Sequence, residues 1–410
     1  MRLALVAAGE WGRLIWSTSY FFCLLCAYFT LRPVRESMAV ASGSVTVPML
    51  FTATFLVMAL VLPVFGFLVS RYPRRVFLPL TYVFFIVNVL AFYFAFREAE
   101  NTLWLGRVFF VWISVFNMFV VSVFWSFMSD LYSPEQARRL FSIVAAGGSA
   151  GAIVGPALTA WLAPRVGTAN LFLVAVLFLS AALVCQLVLL RRQLREQPSV
   201  NRRIGGSIWA GARLAWETPV LRLMVAVLVM LPLLQTVLYN QQIALVETAY
   251  AGRDPTRFFA LVDLGANVTA FTLELFLTSR LLVWLGAAKT LVIMPALTGI
   301  GLLLLAIWPQ VMVLGVFQAL RRGGEYGLMK PARELIYTQV DEEMRFKAKN
   351  FIDTFIYRGG DVASGWLYLG LAQGIGLSVA AIAALAAPAA GLWAWLAHRL
   401  GAHFKEPAVE

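Results

Sequence analysis

The chain has 410 residues, of which 61% are hydrophobic and only 13% are charged, and its formal net charge is +12. This composition excludes an ordinary soluble domain and is typical of a protein with many membrane spans. The positive charge does not indicate nucleic-acid binding, because the basic residues follow alternate loops between apolar segments.

Twelve segments of the chain are apolar over the roughly 20 residues that a helix needs to cross a bilayer. The predicted spans cover residues 15–35, 47–70, 76–96, 103–129, 140–163, 169–190, 218–248, 257–283, 287–307, 310–334, 348–370 and 375–398. The predicted fold class is therefore an all-α polytopic membrane protein with twelve transmembrane helices.

The longest polar stretch, residues 191–216, separates spans six and seven and is predicted to be a cytoplasmic linker. It divides the chain into an N-terminal six-helix bundle, residues 1–190, and a C-terminal six-helix bundle, residues 217–410. Short segments repeat at corresponding places in the two halves, such as FLVSR at 67–71 and FLTSR at 276–280. Two six-span halves that run in the same sense are typical of a major facilitator-like fold.

The basic residues are expected to mark the cytoplasmic side. One set of alternate loops is rich in them, whereas the other set holds only Arg97, Arg107, Arg165, Arg253 and Arg257. The positive-inside rule then places both termini in the cytoplasm of a bacterial-type inner membrane.

Charged side chains also fall inside the predicted spans, where each is expected to cost roughly 2.5–3.5 kcal/mol near the bilayer centre. Such residues indicate function by default. The candidate substrate-binding residues are Arg32, Arg35 and Glu36 in span one, Asn117 in span four, Glu247 in span seven, Arg321, Arg322 and Glu325 in span ten, and Arg358 and Asp361 in span eleven. Asn117 is included because it occupies the position of Arg321 in the repeat.

Helical spacing places an acid on the same face as several of these arginines. The pairs are Arg32 with Glu36, Arg321 with Glu325, and Arg358 with Asp361. One interpretation is that the pairs neutralise themselves and are only tolerated inside the bundle. We favour a polar cavity for an anionic substrate, because the planar guanidinium suits carboxylate and phosphate. Pro33 and Gly323–Gly324 are expected to bend or break helices beside these charges.

Several motifs match one known family. Span one has Tyr28, Leu31 and Arg32; span four ends with Phe124, Trp125 and Phe127; the following loop has Glu135, Ala137, Arg138 and Arg139; span seven has Leu245, Val246 and Glu247; spans ten and eleven have Pro331, Arg333, Glu334, Lys347, Lys349, Ile352, Asp353, Arg358 and Gly360. With these residues the chain resembles the ATP:ADP antiporter family of plastids and intracellular bacteria, a branch related to major facilitator transporters. Ala251 and Asp361 stand where that family has lysines.

The resemblance implies an antiporter that exchanges nucleotides or other organophosphates by alternating access, with no cofactor and no hydrolysis. The sequence has no phosphate-binding Gly-x-x-x-x-Gly-Lys-Ser/Thr loop, which agrees with this. In this hypothesis arginines meet the anionic groups of the substrate, and Glu36, Glu247, Glu325 and Asp361 hold those arginines between substrates. The expected partners are a small anionic substrate and the lipid bilayer, with no nucleic acid, and a monomer is expected.

Two alternatives stay open. A proton-coupled major facilitator transporter of another organic anion would use Glu36, Glu247 or Glu274 as its titrating group, and a non-transporting receptor derived from a carrier would bind without moving its ligand. An enzyme is not expected, because the only histidines, His398 and His403, lie at the C-terminal edge and no metal or nucleophile set is present.

Overall fold

A computed structural model of the chain describes residues 6–7, 9–98, 102–196, 219–337 and 357–402. Within these residues the chain forms thirteen α-helices and no β-strand. The helices are α1 (Trp11–Ala41), α2 (Val47–Arg71), α3 (Arg74–Glu98), α4 (Thr102–Leu131), α5 (Pro134–Val166), α6 (Leu171–Glu196), α7 (Pro219–Ala249), α8 (Thr256–Phe276), α9 (Thr278–Ile307), α10 (Val311–Gly324), α11 (Lys330–Tyr337), α12 (Tyr357–Leu369) and α13 (Val379–Ala402).

The predicted all-α membrane architecture is confirmed. Ten of the described helices are long and apolar enough to cross a membrane. The tenth predicted span corresponds to α10 and α11, which are joined by the π-helical turn Glu325–Met329. Most of the predicted linker lies outside the described residues, as do Lys347, Lys349, Ile352 and Asp353 of the family motif.

The prediction of one span over residues 257–283 was wrong in its extent. Helix α8 ends at Phe276, and α9 starts at Thr278 and turns sharply at Gly286, where φ is +74°. Residues other than glycine rarely adopt this backbone conformation. The turn separates a short first part of α9 from its long apolar part. The residues between Phe276 and Gly286 are nearly as apolar as a span, so hydropathy alone did not show the break.

Two compact units can be distinguished by their internal contacts, and each is described by itself. Unit 1 comprises Met1–Ser42, Leu56–Arg203 and Asp254–Leu264, and unit 2 comprises Gly43–Phe55, Ile204–Arg253 and Gly265–Glu410. Each unit therefore contains most of one half of the chain and a short segment from the other half. In particular, the first part of α8 belongs to unit 1.

The core of unit 1 is centred on α1, which packs against α4, α5 and α6. Aromatic side chains fill much of this core, including Tyr20, Tyr82 and Phe124. Helix α5 lies unusually close to α1, because a Cβ atom on Gly151 would be 2.3 Å from the backbone oxygen of Phe22. Small residues allow this close packing of helices in a membrane.

The core of unit 2 is built on the packing of α9 against α13 and of α7 against α12 and α13. Its buried side chains are mainly aliphatic, with Trp393 as the largest that is almost fully enclosed. Helix α12 meets α7 at Gly360, where a Cβ atom would be 2.7 Å from Pro232. Directly after this contact, Thr236 on α7 donates a hydrogen bond to Asp361 on α12.

Candidate functional site

Arg32 of unit 1 pairs with an acid on a different helix. One guanidinium nitrogen lies 3.4 Å from Oδ1 of Asp263 on α8, and the side chain of Asp263 is only 1% exposed. The guanidinium also lies over the ring of Phe29, 5.7 Å from its centroid. Spacing on α1 predicted Glu36 as an acid partner of Arg32; the structure shows Asp263 as a partner from another helix, and the pairing with Glu36 stays a prediction.

Arg35 and Glu36 form a second charged pair on α1. The Arg35 guanidinium donates two hydrogen bonds to Oε1 of Glu36, one of them from Nε at 3.2 Å. It also lies 5.0 Å from the ring centroid of Phe110 and donates to the hydroxyl of Ser114 on α4 at 3.5 Å. Asn117, one turn further along α4, is half-buried. Unit 1 thus brings Arg35 and Glu36 of α1 to Ser114 of α4, and a role for Asn117 stays a prediction.

Arg321 is the most deeply buried of the predicted arginines, with 3% of its surface exposed. Its guanidinium lies 3.3 Å from Oε2 of Glu325, the acid one turn later on the same helix. Its Nε donates to Oε1 of Gln318 at 3.1 Å, and Gln318 in turn donates to Gln242 on α7 at 2.9 Å. The predicted Arg321–Glu325 pair is therefore present and is extended by two amide side chains.

The helix that carries Arg321 and Glu325 changes from α-helical to π-helical at Glu325. Glycines end α10 at Gly324, and the next turn, Glu325–Met329, is π-helical. Such turns are rare and occur frequently at functional sites. The expectation that the glycine pair would interrupt the helix is met by this turn, whereas α1 continues through Pro33 to Ala41.

Arg358 and Asp361 form the predicted pair on α12. The distance from Nη1 to Oδ2 is 3.6 Å, and 40% of the arginine side chain is exposed. Oδ1 of Asp361 accepts a hydrogen bond from the hydroxyl of Thr236 on α7 at 3.0 Å. The preceding residue on α7, Gln235, accepts a hydrogen bond from the hydroxyl of Tyr357 at 2.7 Å. Helix α7 therefore holds both α10 and α12 through polar side chains.

The remaining predicted residues of unit 2 occupy different positions. Arg322 is half-buried beside Arg321 on α10. Glu247 is exposed in the last turn of α7, and its Oε2 accepts a hydrogen bond from the backbone N–H of Ser44 at 3.0 Å. Ser44 begins the short turn between α1 and α2, and the expectation that Glu247 holds an arginine stays a prediction.

Sequence reasoning missed one carboxylate outside the spans. In unit 1, Oδ1 of Asp254 accepts hydrogen bonds from Ser37 at 2.9 Å and from the Thr256 hydroxyl at 2.6 Å, while its Oδ2 accepts one from Thr168. Burial alone would raise the pKa of Asp254, but the hydrogen bonds from Thr168, Thr256 and Ser37 outweigh it and lower this pKa. The Asp-Pro pair before α8 was the available signal.

The described residues offer no group of three or more His, Cys, Asp or Glu side chains that could hold a metal ion. The cysteines Cys23, Cys26 and Cys185 are free thiols. What these pairs offer chemically is charge: guanidinium groups that already have a carboxylate partner and whose geometry also suits a phosphate or carboxylate.

The described part of the chain is helical, has ten candidate spans and holds arginine–acid pairs inside its helices, which together define a polytopic membrane protein. The family model of the Major Facilitator Superfamily matches residues 17–320. The chain therefore belongs to the major facilitator superfamily and is a membrane transporter. A comparison with curated proteins finds no match.

Several solved structures share the fold. An auto-inhibited POT family peptide transporter has a TM-score of 0.66 at 12% identity, and the match covers 97% of this chain and 98% of that one. A bacterial homologue of the iron transporter ferroportin, in an inward-facing state, gives 0.66 at 15% identity, covering 97% and 100%. A point mutant of the nucleoside transporter NupG gives 0.64 at 12% identity, covering 96% and 100%. The predicted superfamily and fold are confirmed, and the ATP:ADP antiporter branch stays a prediction.

Proposed function

We propose that this transporter exchanges organic anions across an inner membrane, with nucleotides or other organophosphates as the substrate class and both termini in the cytoplasm. The observation on which this proposal depends is the pairing of arginines with acids inside the helices of both units. Arg321 with Glu325 is the most enclosed example. A guanidinium that donates hydrogen bonds to a carboxylate can donate to a phosphate or carboxylate of a substrate in the same geometry.

The nature of the side chains, rather than the fold, supports an anionic substrate. The structural neighbours are described as transporters of peptides, iron and nucleosides, so the same fold accommodates very different substrates. Arginine is costly inside a membrane protein and is retained there where its charge is used. The organophosphate class follows from the resemblance of span one and of spans ten and eleven to the ATP:ADP antiporters.

In the proposed mechanism each acid is the partner of its arginine in the empty carrier. Glu36 would hold Arg35, Glu325 would hold Arg321, and the partner of Arg358 would be Asp361. When an anionic substrate binds, it replaces the acid as the partner of the guanidinium. The empty site therefore does not contain an isolated buried cation, which would cost about 3–5 kcal/mol.

Binding is tested first, by thermal shift of the purified protein with ATP, ADP, inorganic phosphate, glycerol 3-phosphate and uncharged adenosine. A ligand at about 100 times its dissociation constant adds about 2.7 kcal/mol to the apparent stability. We expect at least one phosphorylated compound to raise the melting temperature and adenosine to have no effect. Stabilisation by adenosine alone, or by none of the five, would contradict the proposal.

Exchange is tested next, in proteoliposomes loaded with radiolabelled ADP. We expect efflux to require ADP outside and to be lost in Arg358→Gln, because the most exposed arginine among the candidate substrate-binding pairs is then replaced by a neutral side chain. Arg97→Gln is the matched control, since Arg97 contacts Tyr93 at the end of α3 and not the site. Uptake against a gradient that follows an imposed pH difference would instead indicate proton coupling.

A further inference from the structure

Asp263, the acid that contacts Arg32, lies in a segment that comes from the second half of the chain but belongs to unit 1. This segment is Asp254–Leu264. Arg32 is nine residues before the end of α1 and Asp263 is seven residues after the start of α8. At about 1.5 Å per residue, both charges are roughly 10–14 Å from the ends of their helices.

The start of the same segment is attached to unit 1 in a second way. Asp254 accepts hydrogen bonds from Ser37 near the end of α1 and from Thr168 in the turn after α5. Its lowered pKa keeps the carboxylate ionised, which strengthens these hydrogen bonds. Between the two acids, Phe259 and Ala260 are buried. The segment is thus fixed at both of its ends by carboxylates.

A substrate anion is expected to affect the contacts of Asp254 and of Asp263 differently. The partners of Asp254 are uncharged and have no strong preference for a substrate anion. They are the hydroxyl groups of Ser37, Thr168 and Thr256 and the backbone N–H of Thr256. Asp263 contacts the guanidinium of Arg32, for which a phosphate or carboxylate of a substrate competes directly. An incoming anion therefore weakens the attachment at Asp263 and leaves the one at Asp254 in place.

We propose that Asp263 is the positioning residue for Arg32 and that substrate competes with it, so that the segment Asp254–Leu264 is released only when an anion binds. This inference rests on the proposed function, because it needs an anionic substrate at Arg32. In this proposal the contact between Arg32 and Asp263 is the reason why the carrier must bind substrate on both sides in turn. The empty carrier keeps the Arg32–Asp263 pair and does not complete a cycle, whereas the loaded carrier does.

The test compares net efflux with exchange in proteoliposomes loaded with radiolabelled ADP. In the wild type we expect efflux only when ADP is present outside. In Asp263→Asn we expect net efflux without external ADP to rise about tenfold, which corresponds to losing about 1.4 kcal/mol of attachment. Asp263→Glu, which keeps the charge, should restore most of the coupling. Glu98→Gln removes an acid of unit 1 at the end of α3 and should leave both rates unchanged.

A measurement on the wild type alone covers the case in which Asp263→Asn does not fold. Backbone hydrogen–deuterium exchange of residues 254–264 should increase when ADP is added, although ligands usually protect their proteins. Unchanged net efflux in a folded Asp263→Asn variant, or protection of this segment by ADP, overturns the inference while exchange by the wild type upholds the proposed function. A wild type that neither binds nor exchanges ADP contradicts the proposed function itself.

Discussion

The buried pair of Arg321 and Glu325 allows a double-mutant cycle with a defined expectation. The perturbations are Arg321→Gln, Glu325→Gln and the two together. Each single change leaves one charge in the interior with its partner removed. The double change leaves two neutral amides of similar size, which can hydrogen-bond to each other and to Gln318.

The magnitude follows from the distance and the burial. Two unit charges at about 4 Å attract by about 4 kcal/mol at the effective dielectric constant of about 20 that suits partly buried pairs. The charged atoms here are 3.3 Å apart, and the side chains are 4% and 13% exposed. Desolvation offsets part of the attraction, so we expect each single variant to lose about 2–4 kcal/mol and the double variant to lose less than either.

The assay is unfolding of the purified protein in mixed micelles by titration with sodium dodecyl sulfate. The second pair on α12 supplies an internal comparison, because Arg358 is 40% exposed and lies 3.6 Å from Asp361. Its coupling energy should be below about 1 kcal/mol, as for other solvated pairs. If the coupling between Arg321 and Glu325 proved no larger than that between Arg358 and Asp361, the reasoning from burial would be refuted.

Three further predictions concern stability in the same assay. Gly151→Ala should cost about 1–3 kcal/mol because α5 must move away from α1, whereas Gly391→Ala, with open space around it, should cost nothing. Thr236→Val should cost about 1–2 kcal/mol, since the carboxylate of Asp361 loses a hydroxyl donor. The pKa of Asp254 is lowered by folding, so its contribution is complete above the unfolded value of about 3.9 and is lost as the pH falls through the folded value. Asp254→Asn should therefore be less sensitive to acid than the wild type as the pH falls below about 4, and equal acid sensitivity of the two proteins would contradict this.

Much of the fold could be predicted because a bilayer imposes a length and a composition on every span. The end of α8 at Phe276 and the sharp turn inside α9 could not, since residues 277–285 are mostly apolar and the turn depends on one backbone angle at Gly286. The same limitation applies to the π-helical turn Glu325–Met329, where glycines marked a weakness in the helix without specifying its geometry.

The charged pairs also differ in whether the sequence alone predicts them. Pairs on one helix, such as Arg321 with Glu325, follow from periodicity and needed no tertiary information. The contact of Arg32 with Asp263 joins residues that are far apart in the chain, and no local pattern encodes it. Both residues were visible as charges inside apolar spans, so the sequence indicated that they needed partners but not which partners.

The exposure of the guanidinium groups orders the arginines by how readily an anion can reach them. Arg358 is the most exposed of the arginines in the candidate pairs. Its partner, the carboxylate of Asp361, also accepts a hydrogen bond from Thr236. Arg358 therefore requires the least desolvation to exchange Asp361 for another anion. Arg321 is enclosed by Gln318 and Glu325, and any anion that replaces Glu325 must displace an interaction made in a low-dielectric interior. An anion should therefore be attracted first by Arg358, while Arg321 contributes mainly to the selectivity of binding. We therefore expect Arg321 and Arg358 to have different functions, although both are paired with an acid on their own helix.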